Sequence, residues 1–116
     1  MQVSRYQTQD IETYKMINKL NSKTIIEKIK QEKEKLKEKG VKKIGLFGSY
    51  AKGNPKKGSD IDFLVEFDEI DFDNYMELMF LLKKLFKRKI DLVIEKNLIP
   101  ELNYVKNEAE YVKLWI

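Results

Sequence analysis

The sequence predicts an α/β (α+β) protein, a small mixed β-sheet flanked by helices. Three short runs, 41–47, 60–67 and 90–95, have the length and apolar content of strands. Runs with helical periodicity or helix-start signals lie around them. No internal repeat or low-complexity linker interrupts the 116 residues, a length that suits one domain.

In chain order, residues 1–22 form either an N-terminal arm or a short amphipathic helix. Ile11, Tyr14 and Ile17 recur at steps of three, but the stripe is ragged. The domain proper is read as 23–116. Thr24 followed by Glu27 makes a capping-box pattern, and Ile25, Ile29 and Leu36 share one face. This predicts a helix over 25–39, with Gly40 in the position after its end. Its Lys and Glu alternate in sign, as on a solvated helix face.

VKKIGLF at 41–47 reads as a buried strand. Residues 48–59, rich in Gly, Lys and turn formers, read as a loop. DIDFLVEF at 60–67 alternates as a strand does. A helix over 73–87 follows, with Tyr75, Leu78, Met79, Leu82, Leu85 and Phe86 inward and Lys in its last turn, where positive charge suits the helix dipole. IDLVIE at 90–95 is the third strand. Pro100 suits the first turn of a helix to 108. Residues 111–116 are either a helix end or an edge strand. Phe47, Phe63, Phe67, Phe80 and Phe86 are read as core rather than as stacking platforms.

Composition narrows the chemistry. Cys and His are both absent, which removes thiolate nucleophiles, imidazole bases and the usual zinc ligands. Any metal must be held by oxygen, which favours magnesium or manganese. The 23 basic residues outnumber 19 acidic ones for a net charge of +4, which permits phosphate binding without demanding it. Only Arg5 and Arg88 carry the guanidinium fork that base reading favours. No apolar run approaches the length of a membrane span, and the N-terminus has no signal-peptide core. A soluble, cytoplasmic protein is expected.

The chemistry concentrates in two places. A period of two puts Asp60, Asp62, Leu64 and Glu66 on one strand face, with Asp60 and Asp62 about 7 Å apart. Asp91 lies opposite Ile90, Leu92 and Ile94, and joins a three-carboxylate cluster if the two strands are neighbours. Such a cluster repels itself unless a divalent cation compensates. Just before it, Gly48 permits close backbone approach, and Ser49 offers a hydroxyl beside helix-start N–H groups suited to an anion. Lys52, Lys56 and Lys57 add charge. The loop is not a Walker A motif, because Asn54 follows Gly53 where Lys is needed. No GxGxxG occurs.

Gly48-Ser49, ten intervening residues, Asp60-x-Asp62 and a third-strand Asp91 together resemble the signature of polymerase-β-type nucleotidyltransferases. The string GSYAKGNPKKGSDIDFLVEF with KIDLV is similar to their smallest branch, the minimal nucleotidyltransferase (MNT) domains, many of them antitoxins paired with HEPN-domain toxins. The resemblance covers about 24–112. It implies a catalytic trio of Asp60, Asp62 and Asp91 that also binds metal, usually two magnesium ions, with manganese as a substitute. Nucleotide contacts then fall to Gly48, Ser49 and Lys52, where many relatives have Arg, and to Ser59 at the turn delivering Asp60. ATP is the implied donor and a HEPN toxin the implied partner. RNA is a weaker acceptor with so few Arg, and homo-oligomer formation is left open. Two alternatives stand beside AMP transfer to a toxin hydroxyl. One is an antitoxin acting by binding alone. The other is nucleotidyl transfer to RNA or a small molecule.

Overall fold

The structure, a computed structural model, describes residues 20–114. Most of the predicted arm, 1–22, lies outside the described residues. The first helix begins earlier than the sequence pattern suggests. Helix α1 spans Ser22–Gln31 and is capped by Asn21, whose side chain accepts from the Thr24 N–H at 2.9 Å. Thr24 Oγ1 accepts in return from the Asn21 N–H at 3.0 Å. The capping box therefore sits one turn upstream of the predicted pair, and Thr24 is its third helical residue. The single helix predicted over 25–39 is two. Glu32 leaves helical geometry and separates α1 from α2, Lys33–Glu38. Gly40 follows in the left-handed region, φ +79°, as its place at the helix end requires.

Strand β1 covers Val41–Phe47. The predicted 48–59 loop opens with a short helix, α3, Gly48–Lys52, which ends at Gly53 in the left-handed region. Strand β2 is Ile61–Phe67, helix α4 is Phe72–Phe86 and strand β3 is Ile90–Ile94. The helix predicted over 100–108 divides into a 3₁₀ turn at Pro100–Leu102 and helix α5, Tyr104–Glu108. The C-terminal alternative resolves to an edge strand, β4, Glu110–Lys113.

The sheet runs β3-β2-β1-β4. β1 pairs antiparallel with β2 and with β4, whereas β2 and β3 are parallel. Parallel neighbours need a long crossover, and α4 supplies it. The sheet is therefore mixed and flanked by helices, as predicted.

One sheet face is the core side. Ile44 and Leu46 of β1, Ile61, Phe63 and Val65 of β2, and Ile90 and Leu92 of β3 form one buried cluster with Ile25, Ile29, Leu78, Leu82 and Phe86 of the helices. Phe63 and Phe86 pack with ring centroids 5.9 Å apart, within the range that favours aromatic pairs. Phe80 corrects the aromatic reading: it is 62% exposed, and Phe72, just outside the predicted start of the helix, is 75% exposed. The inward arc of α4 is already filled by Leu78, Leu82 and Phe86, so a residue near the opposite side of the wheel faces out. Among the described residues, no helix is long and apolar enough to cross a membrane.

Candidate functional site

The other sheet face holds the polar residues. Strand register sets their order. Phe47 of β1 lies across from Asp62 of β2, and Asp62 lies beside Asp91 of β3. The neighbouring-strand condition left open by the sequence is met. Paired residues on adjacent strands project to the same face, so both carboxylates stand together at one end of the sheet.

Asp62 is the pressed member of the pair. Its pKa is pushed from the ordinary 3.8 up to about 6, first by burial, then by the negative charges of Asp91 and Asp60, and by a hydrogen bond shared with Asp91. Asp60 precedes β2 and is exposed. It acts on Asp62 through charge. Among the described residues, no three carboxylates gather closely enough to make a ready metal cage.

The backbone of α3 closes over Asp62. Gly48 takes φ +75°, a conformation open to glycine at little cost. A Cβ built there would land on Asp62 Oδ2 and lie 2.9 Å from its Cγ. Gly48 is therefore a steric requirement of the site as well as a turn former. Ser49 follows in the first turn of α3 and is half-buried. Lys52 ends the helix and is exposed. Asn54 N–H donates to the Ser49 carbonyl at 3.0 Å, which ties the loop back to the helix. Ser59 is occupied locally. Its Oγ accepts from the Lys56 N–H at 2.8 Å, and its N–H donates to the Lys56 carbonyl at 2.9 Å. It thus builds the turn that delivers Asp60.

The donor set fits a hard cation. Asp60, Asp62 and Asp91 offer carboxylate oxygens, and the Asp62 carboxylate is pressed by burial and by the negative charges of Asp91 and Asp60, which a cation would offset.

Two features were not legible in the residue pattern. Tyr75 of α4, read as an inward packing residue, donates its hydroxyl to the Leu92 carbonyl at 2.8 Å, next to Asp91. The second feature is a polar network at the far end of the same face. The Tyr111 ring lies over Gly45, where a Cβ would meet ring atoms at 2.7 Å. Tyr111 donates to Glu95 at 3.1 Å, and Lys43 lies 4.4 Å from the Tyr111 ring centroid. Lys43 also pairs with Glu95 at 3.3 Å and with Glu66 at 3.8 Å. Burial and the adjacent Glu95 push the Tyr111 pKa up to about 12, so its hydroxyl remains a donor at neutral pH. The one signal for this network was Glu66 on the strand face opposite the apolar residues of β2.

Comparison with known proteins finds a family model and relatives that match this chain. The family model described as a nucleotidyltransferase domain matches residues 26–115. A Methanocaldococcus jannaschii protein, named as a candidate protein adenylyltransferase, is 43% identical over 90 residues, 74% of this chain and 88% of that protein. The Thermococcus cleftensis protein adenylyltransferase MntA is 43% identical over 68 residues, 57% of this chain and 69% of the relative. A solved structure described as a candidate minimal nucleotidyltransferase superposes with TM-score 0.63 at 28% identity, covering 78% of this chain and 95% of the other. A solved toxin–antitoxin with AMP-PNP gives TM-score 0.57 at 26% identity, covering 83% and 73%.

Proposed function

The chain belongs to the nucleotidyltransferase domain family, and from that premise we propose that it transfers AMP from ATP to a hydroxyl group of a partner protein. The observation that carries this reading is the side-by-side placement of Asp62 and Asp91 under the Gly48 turn. Relatives named as protein adenylyltransferases and a structural neighbour solved with AMP-PNP support it.

In the proposed reaction the acceptor oxygen bonds to the α-phosphorus of ATP. The bond from that phosphorus to the bridging oxygen breaks, and pyrophosphate leaves. The acceptor proton passes to a carboxylate, for which we assign Asp91 beside Asp62. Gly48 and Ser49 receive the phosphates, and Lys52 adds charge to them. Ser59 contributes by shaping the loop that carries Asp60. Asp60, Asp62 and Asp91 would hold magnesium, or manganese in its place. The metal supplies charge neutralisation between the carboxylates and the phosphate oxygens. Alignment of acceptor and phosphorus by the chain lowers the barrier further.

We assign the partner as a HEPN toxin, with this chain as its antitoxin in the cytoplasm. The support is the toxin–antitoxin pairing of the structural neighbour. A second reading, an antitoxin acting by contact alone, draws on one observation: among the described residues, no three carboxylates gather into a ready metal site.

The test is incubation with α-labelled ATP and magnesium in lysate of the source organism, beside an Asp60→Ala/Asp62→Ala control. Label on one protein band, absent from the control, is the expected result. Label on RNA or on a small molecule redirects the acceptor. A partner retained by both versions without label favours contact alone.

A further inference from the structure

The geometry points to Tyr75 as a positioning residue for Asp91, an inference that rests on the transfer reading above. Strand β3 is the outer strand of the sheet. β2 pairs with one of its edges, and among the described residues no strand pairs with the other. An open edge leaves backbone groups to be satisfied by other parts of the protein or by water. At Leu92, itself buried, the partner is the Tyr75 hydroxyl at 2.8 Å.

Both ends of this contact are anchored. Tyr75 belongs to α4, whose Leu78, Leu82 and Phe86 are buried in the core. Leu92 is the residue after Asp91, and Asp91 is useful only in register beside Asp62. The hydroxyl therefore fixes an edge strand at the carbonyl of the residue that follows its functional carboxylate. Packing alone would be served equally by Phe. The hydroxyl and its aim at one carbonyl make the difference. Groups that hold a ligand in place from behind commonly change metal affinity or activity by about 10–100-fold when removed.

The test compares the full chain with Tyr75→Phe. Manganese binding is followed by paramagnetic resonance, and transfer is followed with labelled ATP. The half-saturating manganese concentration should rise about tenfold. kcat should fall while KM for ATP stays within about twofold. Met79→Leu, a packing change on the partly buried side of α4, should leave both readouts at wild-type values. Manganese affinity within twofold of wild type in Tyr75→Phe overturns the inference, as does wild-type protein that binds no manganese. Wild-type protein that binds manganese and transfers nothing overturns the transfer reading alone, because the binding comparison still decides the role of Tyr75.

Discussion

Gly48 and Asp62 occupy space that a single added methyl group would contest. A Cβ on Gly48 would fall on the Asp62 carboxylate, and the backbone there already sits at φ +75°. A turn that is open to other residues on sterics alone tolerates substitution at modest cost. This one is closed by the functional group beneath it.

Gly48→Ala should therefore reduce transfer at least about 100-fold, since small misplacements of reacting groups cost that much. Gly53→Ala is the matched control. Gly53 has φ +79° but no neighbouring atom within 4 Å of the added Cβ. It should lose only about 1–2 kcal/mol of stability for the left-handed backbone and retain activity. Thermal melts and labelled-ATP assays on both variants separate strain from obstruction. Equal activity loss in the two would remove the steric role given to Asp62.

Asp62 should mark the pH dependence of stability in metal-free protein. Its folded pKa of about 6 exceeds the ordinary 3.8, so between those values the folded state binds the extra proton. Stability then falls as pH rises from about 4 to about 6 and levels off above. Solvent screening keeps the effect small at this half-buried group. Asp62→Asn should flatten the profile across that window while abolishing transfer. Melting temperatures at a series of pH values provide the check, and an unchanged slope in the variant would contradict the assignment.

The Gly45–Tyr111 contact should appear as energetic coupling. Gly45→Ala pushes a methyl group into the Tyr111 ring, for which overpacking costs about 1–3 kcal/mol. In a Tyr111→Ala background the same change meets no ring and should be close to neutral. Denaturant titration of the four proteins in the cycle gives the coupling term. Additive costs would show that β1 and β4 move apart freely.

Lys87 ends α4 at φ +52°, and it is the one non-glycine at positive φ among the described residues. Lys87→Gly should stabilise the protein by about 1 kcal/mol through relief of left-handed strain. A rise of several degrees in Tm is the expected result.

Much of the fold is legible in residue order because its signals are local. β1 matches the run 41–47 to the residue, and β2 and β3 match theirs within one residue, because apolar content and turn residues bound each run. The first helix shows the limit of that legibility. Thr24 and Glu27 satisfy a capping pattern, but Asn21 and Thr24 satisfy one too and form it. Phe80 shows another limit: an aromatic residue on a helix reads as core until neighbouring side chains fill the inward arc.

The sequence by itself determined which groups could act: oxygen ligands in place of sulfur or imidazole, a Gly-Ser turn, and aspartates at strand starts with a period that sends them to one face. Tertiary structure alone decided which of them meet. Parallel pairing of β2 with β3 brought Asp91 beside Asp62. It also made β3 an edge strand whose Leu92 carbonyl is satisfied by Tyr75. The physical reason is range. Propensity, capping and alternation act within a few residues, whereas strand order and register follow from burying one continuous apolar face, and every residue of the core shares in that choice.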